Sequence, residues 1–244
     1  MSADPIVYCG VPASPDGWWW RWNDAWPVWL ALLVWGLLTL ALAARRRSAW
    51  TAFGLAAVLY LSPLCALSAA LFSVRVLHHL LLVGLVAPLL AIASLRPRQD
   101  SDARPAGIGG PALVFGLVLW LWHAPALYAW GLTTVGGYWL MQGSLLASAV
   151  WFWRQALRHD QAWSGAVAVL FATAAHMGLL GALIVFAARV LYPVHAAATL
   201  AWGVAPLDDQ QLGGLLMWVP AIVPFMAAGL WRLARGLRPA GAAA

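Results

Sequence analysis

Polar residues are so sparse along this chain that the intervals between them, rather than any alternation, define its elements. Apolar stretches of roughly 20 residues, enough for a helix to cross a hydrocarbon core about 30 Å thick, recur at 27–44, 50–72, 76–95, 111–130, 138–157, 164–188 and 211–231. Their continuous apolarity lacks the period-two alternation of a membrane barrel strand, so helices are the expectation. The pattern predicts an all-α polytopic integral membrane protein. A seven-helix transmembrane bundle fills 27–238, after a tryptophan-rich arm at 1–26 and before a short tail at 239–244.

Composition turns this from a buried-core argument into a membrane argument: 64% of residues are hydrophobic, 9% are charged, and mean hydropathy is +0.80. The 18 tryptophans concentrate near the ends of the apolar runs, where amphipathic rings favour the headgroup level. The formal charge of +6 is carried by arginine alone and points to anionic lipid at the cytoplasmic face, not to nucleic acid. Four connectors, 45–47, 96–110, 154–160 and 232–238, hold 11 of the 14 arginines and fall on one side of an alternating path. Arginine is retained in the cytoplasm, so the N-terminus, the 72–76 and 131–137 turns and the 189–210 loop are expected outside and the C-terminus inside. The location implied is a bacterial cytoplasmic (inner) membrane. The arm lacks a basic segment followed at once by an apolar one and does not read as a cleaved signal peptide. Cys9 and Cys65 form no CxxC; a single bridge and a thiol ligand are both open.

With that path, the polar minority gathers toward the outer half. His78 and His79 open the third span, His123 lies in the fourth, His176 near the middle of the sixth with Met177 beside it, and Met217 in the seventh after Asp208 and Asp209. His195 and Tyr192 are in the outer loop, and only His159 is cytoplasmic. Ionisable groups inside a membrane are costly and mark functional interiors. Imidazole suits copper, zinc or iron, and thioether favours Cu(I). Arg75 and His79 are four apart and share a face if the helix reaches back through Ser73, which puts His79 toward the bundle and His78 at the rim. Each residue also has an ordinary reading. Single histidines hydrogen-bond neighbouring helices, methionines pack, the aspartates cap the seventh helix, and Arg75 snorkels or pairs with an aspartate. Ala174, Gly178 and Ala182 recur every four positions on the sixth helix, a close-packing signal.

The segments "LFSVRVLHHLLLVGLVAPLL", "LWHAPALYAW", "AAHMGLLGALIVFAARVLYP" and "PLDDQQLGGLLMWVPA" together resemble the CtaG family of multi-pass cytochrome c oxidase assembly factors over about 72–231. The resemblance implies a non-enzymatic role in maturing haem–copper oxidases through copper supply, with an oxidase subunit or a copper chaperone as partner. It implies that His79, His123, His176, Met177, Asp209 and Met217 form a polar and sulfur-bearing core holding Cu(I). Two positions depart from the family. Arg75 stands where a histidine often lies four residues before His79, and Gln142 stands where the fifth helix often carries one. Transport of copper or a small solute, haem held between facing histidines, and a metal-free docking scaffold are the competing readings. No HExxH or GxSxG motif points to hydrolysis.

Overall fold

The computed structural model describes residues 9, 11–42, 45–95, 107–158 and 161–237. The 96–106 part of the arginine-rich linker, His159, Arg238 and the tail lie outside the described residues, as does most of the first ten.

Among the described residues every regular element is helical. The main helices are α1 (Trp26–Leu42), α2 (Arg46–Leu61), α3 (Leu64–Ala70), α4 (Phe72–Ser94), α5 (Gly109–His123), α6 (Pro125–Thr133), α7 (Val135–Leu157), α8 (Trp163–Val185), α9 (Ala196–Ala201), α10 (Pro206–Trp218) and α11 (Val223–Gly236). Three lengths are long and apolar enough to cross a membrane: α4, α8 and α10 with α11. Two bent pairs, α2 with α3 and α5 with α6, raise the number to five if each is one span. The chain is thus an all-helical membrane protein. Helix α1 is apolar on all sides: Leu30, Leu33, Leu37 and Leu38 face outward while Val28 and Leu32 pack inward, as expected beside lipid.

Proline explains where the expected spans break. The 50–72 run bends by 52° before Pro63, and the 111–130 run bends by 79° between His123 and Pro125. A proline ring disfavours the helical conformation of the residue before it, and Ser62 (ψ 169°) and Ala124 (ψ 123°) are both extended. Within α4, Pro88 cannot donate to the Gly84 carbonyl and its ring would clash with it, and one wide turn over Leu82–Val86 accommodates the misfit. The Trp153 indole N–H donates to the Val83 carbonyl inside that turn at 2.8 Å. Helix α4 begins at Phe72, not at 76, so Arg75 is helical and the expected 72–76 turn shrinks to Leu71. The stretch expected as the last span likewise starts earlier, at Pro206, and continues to Gly236.

Glycine sets the tightest approach. A Cβ on Gly181 of α8 would stand 2.8 Å from the Gly214 carbonyl oxygen of α10, so the two backbones touch there. The expected small-residue stripe is displaced from this contact. Ala174, Gly178 and Ala182 instead line a groove beside Trp218.

The connectors meet at two ends. At one, the arm is tied by a Cys9–Cys65 disulfide, Asn23 donates to the Tyr60 carbonyl (3.0 Å), and the Trp202 indole donates to the Ala13 carbonyl (2.8 Å). At the other, Arg232 of α11 donates to the carbonyls of Arg158 (2.8 Å) and Gln161 (2.7 Å) just past the C-terminus of α7, where the helix dipole favours a cation. The single bridge, one of the two options open for the cysteines, closes a loop with a sequence separation of 56. Reduction, or Cys65→Ser, is expected to lower unfolding free energy by about 2–4 kcal/mol. Non-reducing gel mobility will report the bond, and thermal unfolding of the detergent-solubilised protein will report the loss.

Candidate functional site

The site is organised by a carboxylate acting across helices. Asp209, in the first turn of α10, accepts hydrogen bonds from the backbone N–H groups of Phe72 (2.6 Å) and Ser73 (3.2 Å) and from the Ser73 hydroxyl. It therefore caps α4 and not its own helix. The first amides of a helix lack internal acceptors and carry the positive end of the dipole, so a buried anion there is well placed. The approach requires Gly213, one turn along α10, where a Cβ would stand 2.5 Å from the Phe72 ring. Asp208 is exposed in the first turn of α10. Gln210 fastens the chain leaving α8, accepting from the Leu191 N–H at 2.6 Å and donating to the Arg189 carbonyl at 3.2 Å.

From that capped end α4 projects Arg75, His78 and His79 into the protein, all three buried. His78 is not at the rim: it is 2% exposed and packs edge-on against Tyr60, with ring centroids 5.2 Å apart. The cover comes from the end of α2, which lays Tyr60 over the face expected to meet lipid. Arg75 makes no ion pair with either aspartate, whose nearer member is engaged with α4's amides. Its Nε donates to the Ser68 carbonyl at 3.1 Å and its guanidinium lies 5.6 Å from the centre of the Tyr138 ring.

His79 ends a short relay. Tyr60 donates its hydroxyl to Gln142 Oε1 (3.2 Å), which leaves the Gln142 amide nitrogen to donate to His79 Nε2 (3.2 Å). His123 hydrogen-bonds the Leu119 carbonyl through Nδ1 at 2.7 Å, so Nδ1 carries the proton and Nε2 the lone pair. The two imidazoles are close enough for a charge on one to act on the other. His176 does not join them. Its ring stands against Gly116, two turns before His123 on α5 and so about 10 Å deeper along that helix. Met177 and Met217 are buried in the apolar core. Among the described residues no three His, Cys, Asp or Glu side chains stand together as a group able to hold a metal ion.

His195 is in the 189–210 loop but is not solvated. Its Nδ1 donates to the Ala69 carbonyl (3.0 Å), and Nε2 accepts from the Tyr128 hydroxyl (2.7 Å). Burial first, and then the Arg75 guanidinium, lower its pKa to about 3. Tyr192 stacks on Phe72 with centroids 4.2 Å apart and donates to the His123 carbonyl at 2.9 Å. No motif in the sequence singles out Tyr60, Tyr128 or Tyr138. The available signal was scarcity: the chain holds only five tyrosines beside 18 tryptophans, and four of the five are buried here.

The family described as cytochrome c oxidase caa3 assembly factor (Caa3_CtaG) matches residues 111–238, just over half of the 244. The match takes in His123, Gln142, His176, His195 and Asp209 and begins after the Arg75–His79 segment. No curated protein and no solved structure gives a match.

Asp209→Ala is expected to cost about 3 kcal/mol or more, since it strips an anion from buried donors, while Asp208→Ala stays within about 0.5 kcal/mol. Thermal unfolding in detergent separates the two. A second expectation concerns pH. His195 has its pKa lowered in the folded state from the ordinary 6.5 to about 3, so its stabilising contribution is complete above 6.5 and declines as pH falls through that window. The unfolding midpoint will drop between pH 7 and 5, and in His195→Gln the drop will be shallower from a lower starting value. An unchanged slope in that variant assigns the pH dependence to other groups.

Proposed function

The chain belongs to the Caa3_CtaG family of cytochrome c oxidase caa3 assembly factors, and from that premise we propose that its assembly role is to hold and hand over copper as cargo through His79 and His123. An oxidase-related partner follows from the family. Copper, and a copper chaperone as its donor, belong to the present proposal.

What supports it is that two buried imidazoles on separate helices, within electrostatic reach of each other, are each oriented by their own hydrogen bond: Gln142 to His79 and the Leu119 carbonyl to His123. Orientation by such outer partners is what metal-ligating histidines usually have. Two imidazoles make an open, labile arrangement for Cu(I), and a soft cation taking the His79 Nε2 lone pair displaces only the Gln142 amide. Met217 lies one turn beyond Gly213, on the side of α10 that meets α4, and is the thioether best placed to assist. Asp209 positions His79 and does not bind the metal, because its oxygens are already engaged.

The arginine-rich end is taken as cytoplasmic, in a bacterial inner membrane crossed seven times. The disulfide at the opposite end supports this orientation, since such bonds persist in oxidising compartments. His79, His123 and the arm would then stand near the outer face, within reach of an oxidase subunit's own helices.

Metal analysis and Cu(I) competition on the purified protein test the assignment. His79→Ala and His123→Ala are each expected to weaken Cu(I) binding by about tenfold or more, and His176→Ala to leave it unchanged. Gln142→His, which adds a third imidazole beside His79, is expected to strengthen it. Absence of bound copper in wild type, with oxidase-subunit binding retained by all variants, would leave a metal-free scaffold; a Soret band would point to haem.

A further inference from the structure

Among the described residues Arg75 is the one cation with no exposed surface, and its partners do not match its charge. It is 0% exposed, and Nε alone is used, on the Ser68 carbonyl; Nη1 and Nη2 meet no acceptor with hydrogen-bond geometry among the described residues. One turn along the same face, His78 is in the same condition. Both of its ring nitrogens are buried without a hydrogen-bonding partner, and the Leu59 carbonyl faces the ring outside bonding geometry. These are four polar nitrogens on one face of α4, in a part of the protein where an unsatisfied polar group is expensive.

The surroundings favour negative charge. Arg75 sits in the first turn of α4, where the helix end itself adds about half a positive charge. Asp209 supplies one negative charge at that end but has its oxygens on Phe72 and Ser73. The guanidinium and the helix end together therefore exceed it by about half a unit. The Tyr138 hydroxyl oxygen lies beside the guanidinium, on its donor side. A guanidinium with its outer fork open and an imidazole N–H form a donor set suited to a small anion.

We propose that Arg75 and His78 bind one small monovalent anion, a halide or a carboxylate group, inside the bundle close to the capped start of α4. The anion completes the hydrogen bonding of the guanidinium fork and supplies negative charge where positive charge is in excess. This site is distinct from the His79–His123 pair and does not depend on copper binding.

The test uses the full-length protein in detergent at constant ionic strength, with gluconate as the bulky reference anion replaced stepwise by chloride, bromide or acetate. The wild-type unfolding midpoint is expected to rise saturably with at least one of them, and the responding ions tell halide from carboxylate. Arg75→Gln is expected to weaken the response by about tenfold or more. Should that variant fail to fold, broadening of the chloride NMR line by wild type, reversed by bromide and reduced in His78→Phe, gives the same information. Equal midpoints in all four anions with no line broadening would overturn the proposal and assign the open nitrogens to buried water. So would an equal rise in Arg75→Gln, which marks a general salt effect.

Discussion

The carboxylate of Asp209 on the first amides of α4 is the interaction from which the arrangement of the site follows. It fixes where α4 starts, and so which residues of the Arg75–His79 segment are helical and at what depth they sit. It also joins α4 to α10, the two elements that contribute His79 and Met217. A hydrogen bond at a helix terminus can be this influential in a membrane because no water is available to replace it. Gly213 and the short α8–α10 approach at Gly181 and Gly214 are the steric conditions for it.

Charge is used sparingly elsewhere, and at helix ends. Asp209 meets the positive end of α4, and Arg232 meets the negative end of α7 at the opposite side of the protein. Both act from a different helix than the one they terminate, so each is a cap and a tertiary tie at once. Arg75 is the exception: a cation placed at the positive end of a helix, where the dipole opposes it. Such a placement is unfavourable by itself, and for that reason it draws attention to what completes it.

Much of the architecture was legible before any coordinates. Long apolar runs announced helices, arginine bias grouped the connectors, and the order of four segments pointed to the family that residues 111–238 match. The breaks at Pro63 and Pro125 were legible in principle, from the effect of proline on the preceding residue, but uniform apolarity masked them. The site was harder to read. Spacing could say that Arg75 and His79 share a face, but it could not say that the end of α2 would cover His78. Nor could it say that Asp209 would be consumed by another helix, because that contact spans 137 positions of sequence. His176 illustrates the same limit: the right span and polarity still left its depth undetermined by two helical turns.

The wide turn at Leu82–Val86 has a geometric meaning beyond relieving Pro88. One surplus residue in a helix advances the angular phase of everything after it by about 100° relative to everything before. The half of α4 that carries Arg75, His78 and His79 is thereby rotated independently of the half that carries Ala87 and Ala91. The polar half can aim at α7 and α10 while the apolar half seats against α2 and α7, an orientation that a uniform helix could not give to both. Trp153, by donating into the turn, ties it to α7 at the point where the phase changes.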